Sequence, residues 1–404
     1  MTATPTMEDE LRPDPAAGLS LLGSLPEHAP PPGTFEVIAR DPEGDARSGR
    51  LWTKHGVVET PCFMPVGTYG AVKGLLPDEL RAIGSQVILA NAYHLTHRPG
   101  PQRIRDVGGI HRFMHWDGPI LTDSGGYQVF SLRSLQKIDD AGVDYHTHFD
   151  GAKARMTPRS VLEAEAAIGP DICMILDHCP PGDADRGAIR AAMERTTRWA
   201  REAAALRPEI LAPWQLCFAI VQGGTDLELR REHLAALCEL PFEGFALGGL
   251  SVGEPIPQMH ATFAAIVPSM PAAKPRYVMG IGTPADLLAA VRSGVDMFDC
   301  VIPTRHARNG QLLTFGGRLN LRNSRFRTDD NPPDPGCACP TCRRFSLAYL
   351  RHLHVHADPL YVRLASIHNL FFFHQWVAAM RQALRRGRFA VVAAELAALL
   401  PKSA

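Results

Sequence analysis

Apolar residues in this chain gather in eight short unbroken runs, at 57–65, 87–91, 119–123, 172–177, 216–222, 244–249, 276–280 and 295–300. The segments that close them are polar, acidic or rich in glycine: VILANAYH, ILTDSGGYQ, CMILDHC, FAIVQGG, ALGGLSVGE, VMGIGTP and MFDCVIPTR. A run without polar alternation predicts a strand covered on both faces. Stretches of helical period separate most of the runs, at 78–83, 160–168, 186–206, 227–240 and 284–292, and two more follow the last run, at 366–386 and 389–400. Buried strands alternating with helices predict an α/β fold, a (β/α)₈ barrel. Such barrels carry their sites at the strand C-termini, so the Asp, Gln, Gly and Met residues of these tails are expected to converge.

The flanking segments read differently. Residues 1–32 are rich in Pro, Ala and acidic groups and end in PPPG, which predicts a disordered tail before one barrel domain at 33–404. Residues 35–40 and 50–52 are expected to pair antiparallel across a Gly-Asp turn and cap the barrel bottom. Residues 301–345 are irregular, basic and cysteine-bearing. They suggest a small metal-binding insertion, about 305–365, between the last strand and its closing helices.

Charge and composition narrow the setting. Lys plus Arg equals Asp plus Glu at 42 each, so nucleic acid would have to be held by a local patch, not a global field. No apolar run reaches membrane length and no signal-like segment opens the chain, which points to the cytoplasm. Of the nine cysteines, Cys62, Cys173, Cys217 and Cys238 sit in apolar surroundings and read as small core residues of a reducing compartment.

Cys337, Cys339 and Cys342 form C-x-C-x₂-C within GCACPTCRR. Three thiolates on one knuckle suit Zn²⁺, which takes four soft or borderline ligands in a tetrahedron. His352, His354, His356 and His368 are candidates for the fourth, and spacing alone does not choose among them. A filled shell leaves no open position, so the zinc is expected to be structural, one per chain.

Asp123, Asp177 and Asp299 each end a predicted buried strand, where a carboxylate is costly unless paired or functional. One could cap the following helix; three on one barrel face suggest a site. Ser124, Gly125 and Gly126 allow close backbone approach, Tyr127 offers an aromatic face, and Gln222 and Gly249 add amide donors beside glycines. This inventory suits a flat heteroaromatic ligand, with Met279 able to cover its second face.

The strings TDSGGYQ, DICMILDHCPP, VQGG, ALGGLSVGE, GIGTP, DMFDCVIPTRHARNG and CACPTC…H resemble tRNA-guanine transglycosylases of the bacterial type, from about residue 34 to the end. The resemblance implies a (β/α)₈ barrel with a zinc insertion. It also implies exchange of the wobble guanine in the tRNA anticodon loop for 7-aminomethyl-7-deazaguanine, a queuosine precursor, through a covalent tRNA–enzyme intermediate. Asp299 matches the nucleophile and Asp123 the general acid/base; the residues alone leave open which aspartate attacks. Asp177, Gln222 and Gly249 match the guanine-reading groups, with Ser124 and Cys179 in the same pocket and Tyr127 and Met279 sandwiching the base. The Leu250 carbonyl would accept the aminomethyl group, with Glu254 beneath that peptide. Cys337, Cys339, Cys342 and His368 match the zinc ligands. Cys179 and Val252 agree with the bacterial pocket. His178 and the pair His306-Ala307 depart from the usual pattern. The family tends to form homodimers.

Arg305 and Arg308, with Arg318, Arg322, Arg325, Arg327, Arg343, Arg344 and Arg351, crowd the insertion and suggest a phosphate-binding strip. Two other readings are a non-catalytic partner subunit, against which Asp123 and Asp299 argue, and a metal-dependent barrel hydrolase, for which no H-x-H strand motif is present.

Overall fold

The computed structural model describes residues 11–14, 28–131 and 136–400. Eight parallel strands close into a barrel: β4 (Cys62–Gly67), β5 (Ile88–Asn91), β6 (Ile120–Asp123), β10 (Ile172–Met174), β11 (Leu216–Val221), β12 (Gly244–Leu247), β13 (Arg276–Val278) and β14 (Met297–Cys300), which pairs back onto β4. β11 and β12 are buried at every position, as their unbroken apolar sequences require. The helices Pro158–Ile168, Arg186–Ile210, Leu227–Cys238 and Pro284–Arg292 lie where helical period predicts them. Thr157, Asp185, Asp226 and Thr283 cap their N-termini by accepting backbone N–H bonds.

The first apolar run divides in two. Its first half is β3 (Gly56–Thr60), which joins β1 (Phe35–Arg40) and β2 (Arg47–Thr53) in an antiparallel sheet; its second half is barrel strand β4. The expected pair at the barrel bottom is thus three strands, and Pro61, which cannot donate to a ladder, marks the division. Arg47 of β2 reaches into that end. Its guanidinium donates to both oxygens of buried Asp296 and to the carbonyls of Ala272 and Lys274. A buried ion pair with its donors satisfied ties the sheet to the root of β14.

A second departure lies between β6 and β10, where β7 (Gln136–Ile138), β8 (Val143–His146) and β9 (Lys153–Met156) form another antiparallel sheet. Their inward residues share a core with Tyr93, Phe130 and Trp199. A third is the stretch after β14, which contains the helix Ile302–Arg308 and a hairpin of β15 (Gln311–Thr314) and β16 (Gly317–Asn320) before the cysteine knuckle. Cys62, Cys173 and Cys217 are buried in the core as expected; Cys238, the last residue of its helix, is exposed.

The 27-residue helix Pro359–Arg385 closes the barrel. His374 meets Ser85 at 2.8 Å, and Arg381 donates to the Pro61 carbonyl at 2.7 Å. Most of the expected N-terminal tail lies outside the described residues. Within it, Leu11 packs against the main core, and Arg12 donates to Asp334 at 2.9 Å beside the hairpin. No helix among the described residues is long and apolar enough to cross a membrane.

Candidate active site

A cavity of about 370 Å³ opens at the C-terminal ends of the barrel strands. Asp123, Ser124, Tyr127, Asp177, Cys179, Gly249, Leu250, Met279, Asp299 and Arg305 all line it. Gln222 and Glu254 stand directly behind this wall, each bonded to groups that form it. Arg308 is half-buried on the helix Ile302–Arg308 and does not line the cavity, whereas Arg305 is exposed at its rim.

The two outer aspartates have unlike surroundings. Asp123 ends β6, and its Oδ1 accepts from the backbone N–H groups of Ala92 (3.0 Å) and Gly125 (3.2 Å). Its Oδ2 accepts from Asn91 Nδ2 (2.5 Å) and Gln128 Nε2 (3.3 Å). Burial lifts the Asp123 carboxyl to about 7, and the charge of Asp299 adds to the rise. Asp299 lies on β14, and its Oδ1 accepts from the Tyr277 hydroxyl (2.5 Å) and the Gly280 N–H (2.8 Å). Its Oδ2 receives no hydrogen bond among the described residues. Burial raises the Asp299 carboxyl too, opposed by those two bonds. Burial and the neighbouring Asp299 push the Tyr277 phenol well up, so it stays a donor.

Asp177 lies just past β10. Its Oδ2 accepts from Gln222 Nε2 at 2.6 Å and its Oδ1 from the Ser124 hydroxyl at 3.4 Å. Burial lifts its carboxyl to about 6 against both bonds. Gln222 Oε1 is buried without a hydrogen-bond partner among the described residues. Gly249 takes φ +62° beside it, and a Cβ there would stand 2.3 Å from that oxygen, so this position requires glycine. Glu254 accepts from the backbone N–H groups of Ser251 and Val252. The Leu250 carbonyl, trans to the Ser251 N–H, therefore faces away from Glu254.

His178 does not line the cavity. Its Nδ1 meets Arg195 at 3.1 Å, and burial with that cation holds the imidazole down to about 4. It is thus a neutral acceptor that braces the segment after β10. His306 is held low by burial and by Arg318 and Arg305. Sequence reasoning missed Asn91, Gln128 and Tyr277 as partners of the two outer aspartates. Asn91 closes an apolar run with a polar side chain, a signal that could have singled it out.

The cysteine knuckle packs on the helix Pro359–Arg385, and Cys337, Cys339, Cys342 and His368 are all buried. Their ligand atoms lie within 4.8 Å of one another, and His368 Nδ1 is 3.9, 3.6 and 3.2 Å from the three Sγ atoms in turn. A tetrahedral zinc would hold sulfur and nitrogen about 3.5 Å apart. His368 Nε2 donates to the Leu313 carbonyl at 2.9 Å, so in the neutral ring Nδ1 is the nitrogen whose lone pair faces the sulfurs. The four residues could hold a metal ion, and of the four candidate histidines only His368 joins the cysteines.

The chain is also similar to known proteins over most of its length. The family model for queuine tRNA-ribosyltransferase matches residues 41–402. A queuine tRNA-ribosyltransferase of Solidesulfovibrio magneticus is 49% identical over 371 residues, 92% of this chain and 99% of that one. One of Syntrophobacter fumaroxidans is 50% identical over 355 residues, 88% of this chain and 94% of that one.

Proposed function

The chain belongs to the queuine tRNA-ribosyltransferase family, and from that premise we propose that Asp299 is its nucleophile, Asp123 its proton carrier and Asp177 the reader of its base. The enzyme is a tRNA-guanine transglycosylase of queuosine biosynthesis, acting on tRNA and a base of the 7-deazaguanine type. The observation that carries the assignment is the asymmetry of the two outer carboxylates. Asp299 has one anchored oxygen and one without a hydrogen bond, which suits attack on C1′ of the ribose. Asp123 has a carboxyl that burial brings near neutrality, which suits proton exchange.

In the first half-reaction Asp299 Oδ2 bonds to C1′ of the wobble nucleotide and the bond to guanine breaks. The departing base takes its proton from Asp123. In the second, Asp123 removes the N9 proton of 7-aminomethyl-7-deazaguanine, N9 attacks C1′, and Asp299 is released. Two displacements retain the β configuration, as in retaining glycosidases. Asp177 accepts the N–H groups of the base edge, Gln222 and the Gly249 N–H serve the ring and carbonyl side, and Tyr127 and Met279 cover the faces. The Leu250 carbonyl, turned away from Glu254, receives the aminomethyl group. Incorporation of radiolabelled guanine into tRNAs with GUN anticodons tests the activity. Absence of incorporation by zinc-replete protein would exclude it.

Two expectations follow from the acids. Asp177→Asn places an amide N–H against the base N–H groups and should cost at least ~2 kcal/mol of base affinity; calorimetry giving wild-type affinity would leave Asp177 a structural role only. Asp123 is an acid below about 7 and a base above it. Single-turnover release of guanine should therefore slow as pH rises through about 7. Discharge of the adduct by incoming base should speed up over a lower interval, because Asp299 is esterified there and no longer raises the Asp123 carboxyl. Rates that are flat between pH 6 and 8 in both directions would remove Asp123 from proton transfer.

Zn²⁺ is the ion proposed for Cys337, Cys339, Cys342 and His368, as a structural brace for the insertion. Arg305 at the cavity rim, with Arg308 and the exposed arginines of the hairpin and knuckle, is proposed to track the anticodon-loop phosphates. A cytoplasmic homodimer completes the reading, and light scattering reads its mass.

A further inference from the structure

At the end of the barrel opposite the cavity, Asp171 stands fully buried just before β10. Its Oδ1 accepts from the His55 backbone N–H (3.1 Å) and faces His55 Nδ1 (2.9 Å). Its Oδ2 accepts from the Ile120 N–H (3.0 Å) and faces His111 Nε2 (2.9 Å). The imidazoles stack with centroids 3.6 Å apart and planes at 23°, and both border a crevice of about 400 Å³. The ligand atoms of the three residues lie within 4.8 Å of one another.

We propose that His55, His111 and Asp171 form a second metal site, which takes one divalent transition-metal ion of the zinc type. The carboxylate is already built as a ligand. A backbone N–H fixes each of its oxygens and leaves each a second lone pair directed at an imidazole. The nitrogen–oxygen separations of 2.9 Å correspond to angles of about 90° at an ion with bonds of about 2.0–2.1 Å. They are closer than the roughly 3.3 Å of a tetrahedral shell, so the site suits a five- or six-coordinate ion whose remaining positions water fills. The donors come from separate parts of the chain: the turn between β2 and β3, the helix Ile110–Met114, and the root of β10. The site therefore exists only in the folded barrel, and an ion in it would cross-link all three.

Coordination balances without an outside reactant. The hydrogens on His55 Nδ1 and His111 Nε2 give way to the ion, each neutral ring carries its proton on the other nitrogen, and the two backbone bonds to Asp171 remain. The crevice supplies both the entry path and the open positions for water. Two of the cations beside it are engaged elsewhere. Arg81 pairs with Asp117 and Asp78, and Lys54 lies 4.1 Å from the centre of the Trp214 ring.

Co²⁺ added to full-length protein already holding zinc at its cysteines tests the proposal. One further equivalent should bind, with visible d–d bands, no sulfur-to-cobalt charge-transfer band, and a rise in Tm. His111→Asn and His55→Asn each keep a side-chain donor for Asp171 and lose the imidazole, so affinity should fall more than ~10-fold, the least expected from disturbing a metal shell. The proposal is overturned if wild-type protein binds no further Co²⁺, if both variants bind it as wild type does, or if the added ion shows sulfur ligation. Should the variants not fold, X-ray absorption on the wild type decides: imidazole scattering from the added ion supports the site and its absence overturns it.

Discussion

Asp299→Asn protein is expected to form no covalent adduct with an anticodon stem-loop and to lose at least ~10³-fold in exchange rate. An amide nitrogen and oxygen at this position remain within reach of Tyr277 and Gly280, so the pocket keeps its shape while the nucleophile is gone. Wild-type protein mixed with the same RNA should give a band that survives a denaturing gel, and 7-aminomethyl-7-deazaguanine should dissolve it. RNA binding should persist in the variant, because Arg305 and the neighbouring arginines are untouched. Asp123→Asn is the paired control: it should bind RNA and be slowed in proton transfer. An adduct in Asp299→Asn together with none in Asp123→Asn would interchange the two roles.

The second large effect concerns the knuckle. Cys339→Ser should release the metal and unfold the segment between β16 and the helix Pro359–Arg385. Structural zinc contributes on the order of 10 kcal/mol to small zinc-dependent folds, far more than a single packing contact. The damage should spread, because His368 lies on the helix that also carries His374 and Arg381 against the barrel. Metal analysis, proteolysis around residues 321–358 and melting temperature would register the loss together. Full-length active protein free of zinc would show that hydrogen bonds alone hold the knuckle.

The barrel was readable from the chain because strands covered on both faces need unbroken apolar runs, and the tails of those runs are where the cavity forms. The groups proposed to read the base were readable for the same reason: Asp177, Gln222 and Gly249 interrupt apolar sequence at strand ends. Tyr277 was not, because a tyrosine inside a buried strand reads as core, and only its 2.5 Å bond to Asp299 gives it a role. The sheet β7–β9 was missed because its strands are short and carry Lys137, Asp144, Lys153 and Arg155 on open faces. Asp171 and its histidines carry no motif at all: His55 and His111 lie 116 and 60 residues before it. The proposed choice of attacking aspartate was likewise unreadable from the residues alone, since it rests on how many donors each carboxylate receives.

The seam of the barrel has a consequence for how the protein is made. β4 is synthesised early, its partner β14 comes much later, and the helix that binds Pro61 follows; the contact between Arg381 and Pro61 spans 320 residues. β14 begins 235 residues after β4 does, so at roughly 5–20 residues per second a ribosome needs about 12–47 s to supply it. Throughout that interval β4 has one unpaired edge, and an unpaired apolar edge invites pairing with other chains. Ring closure thus waits for β14, and the open edge of β4 needs shielding until that strand is made.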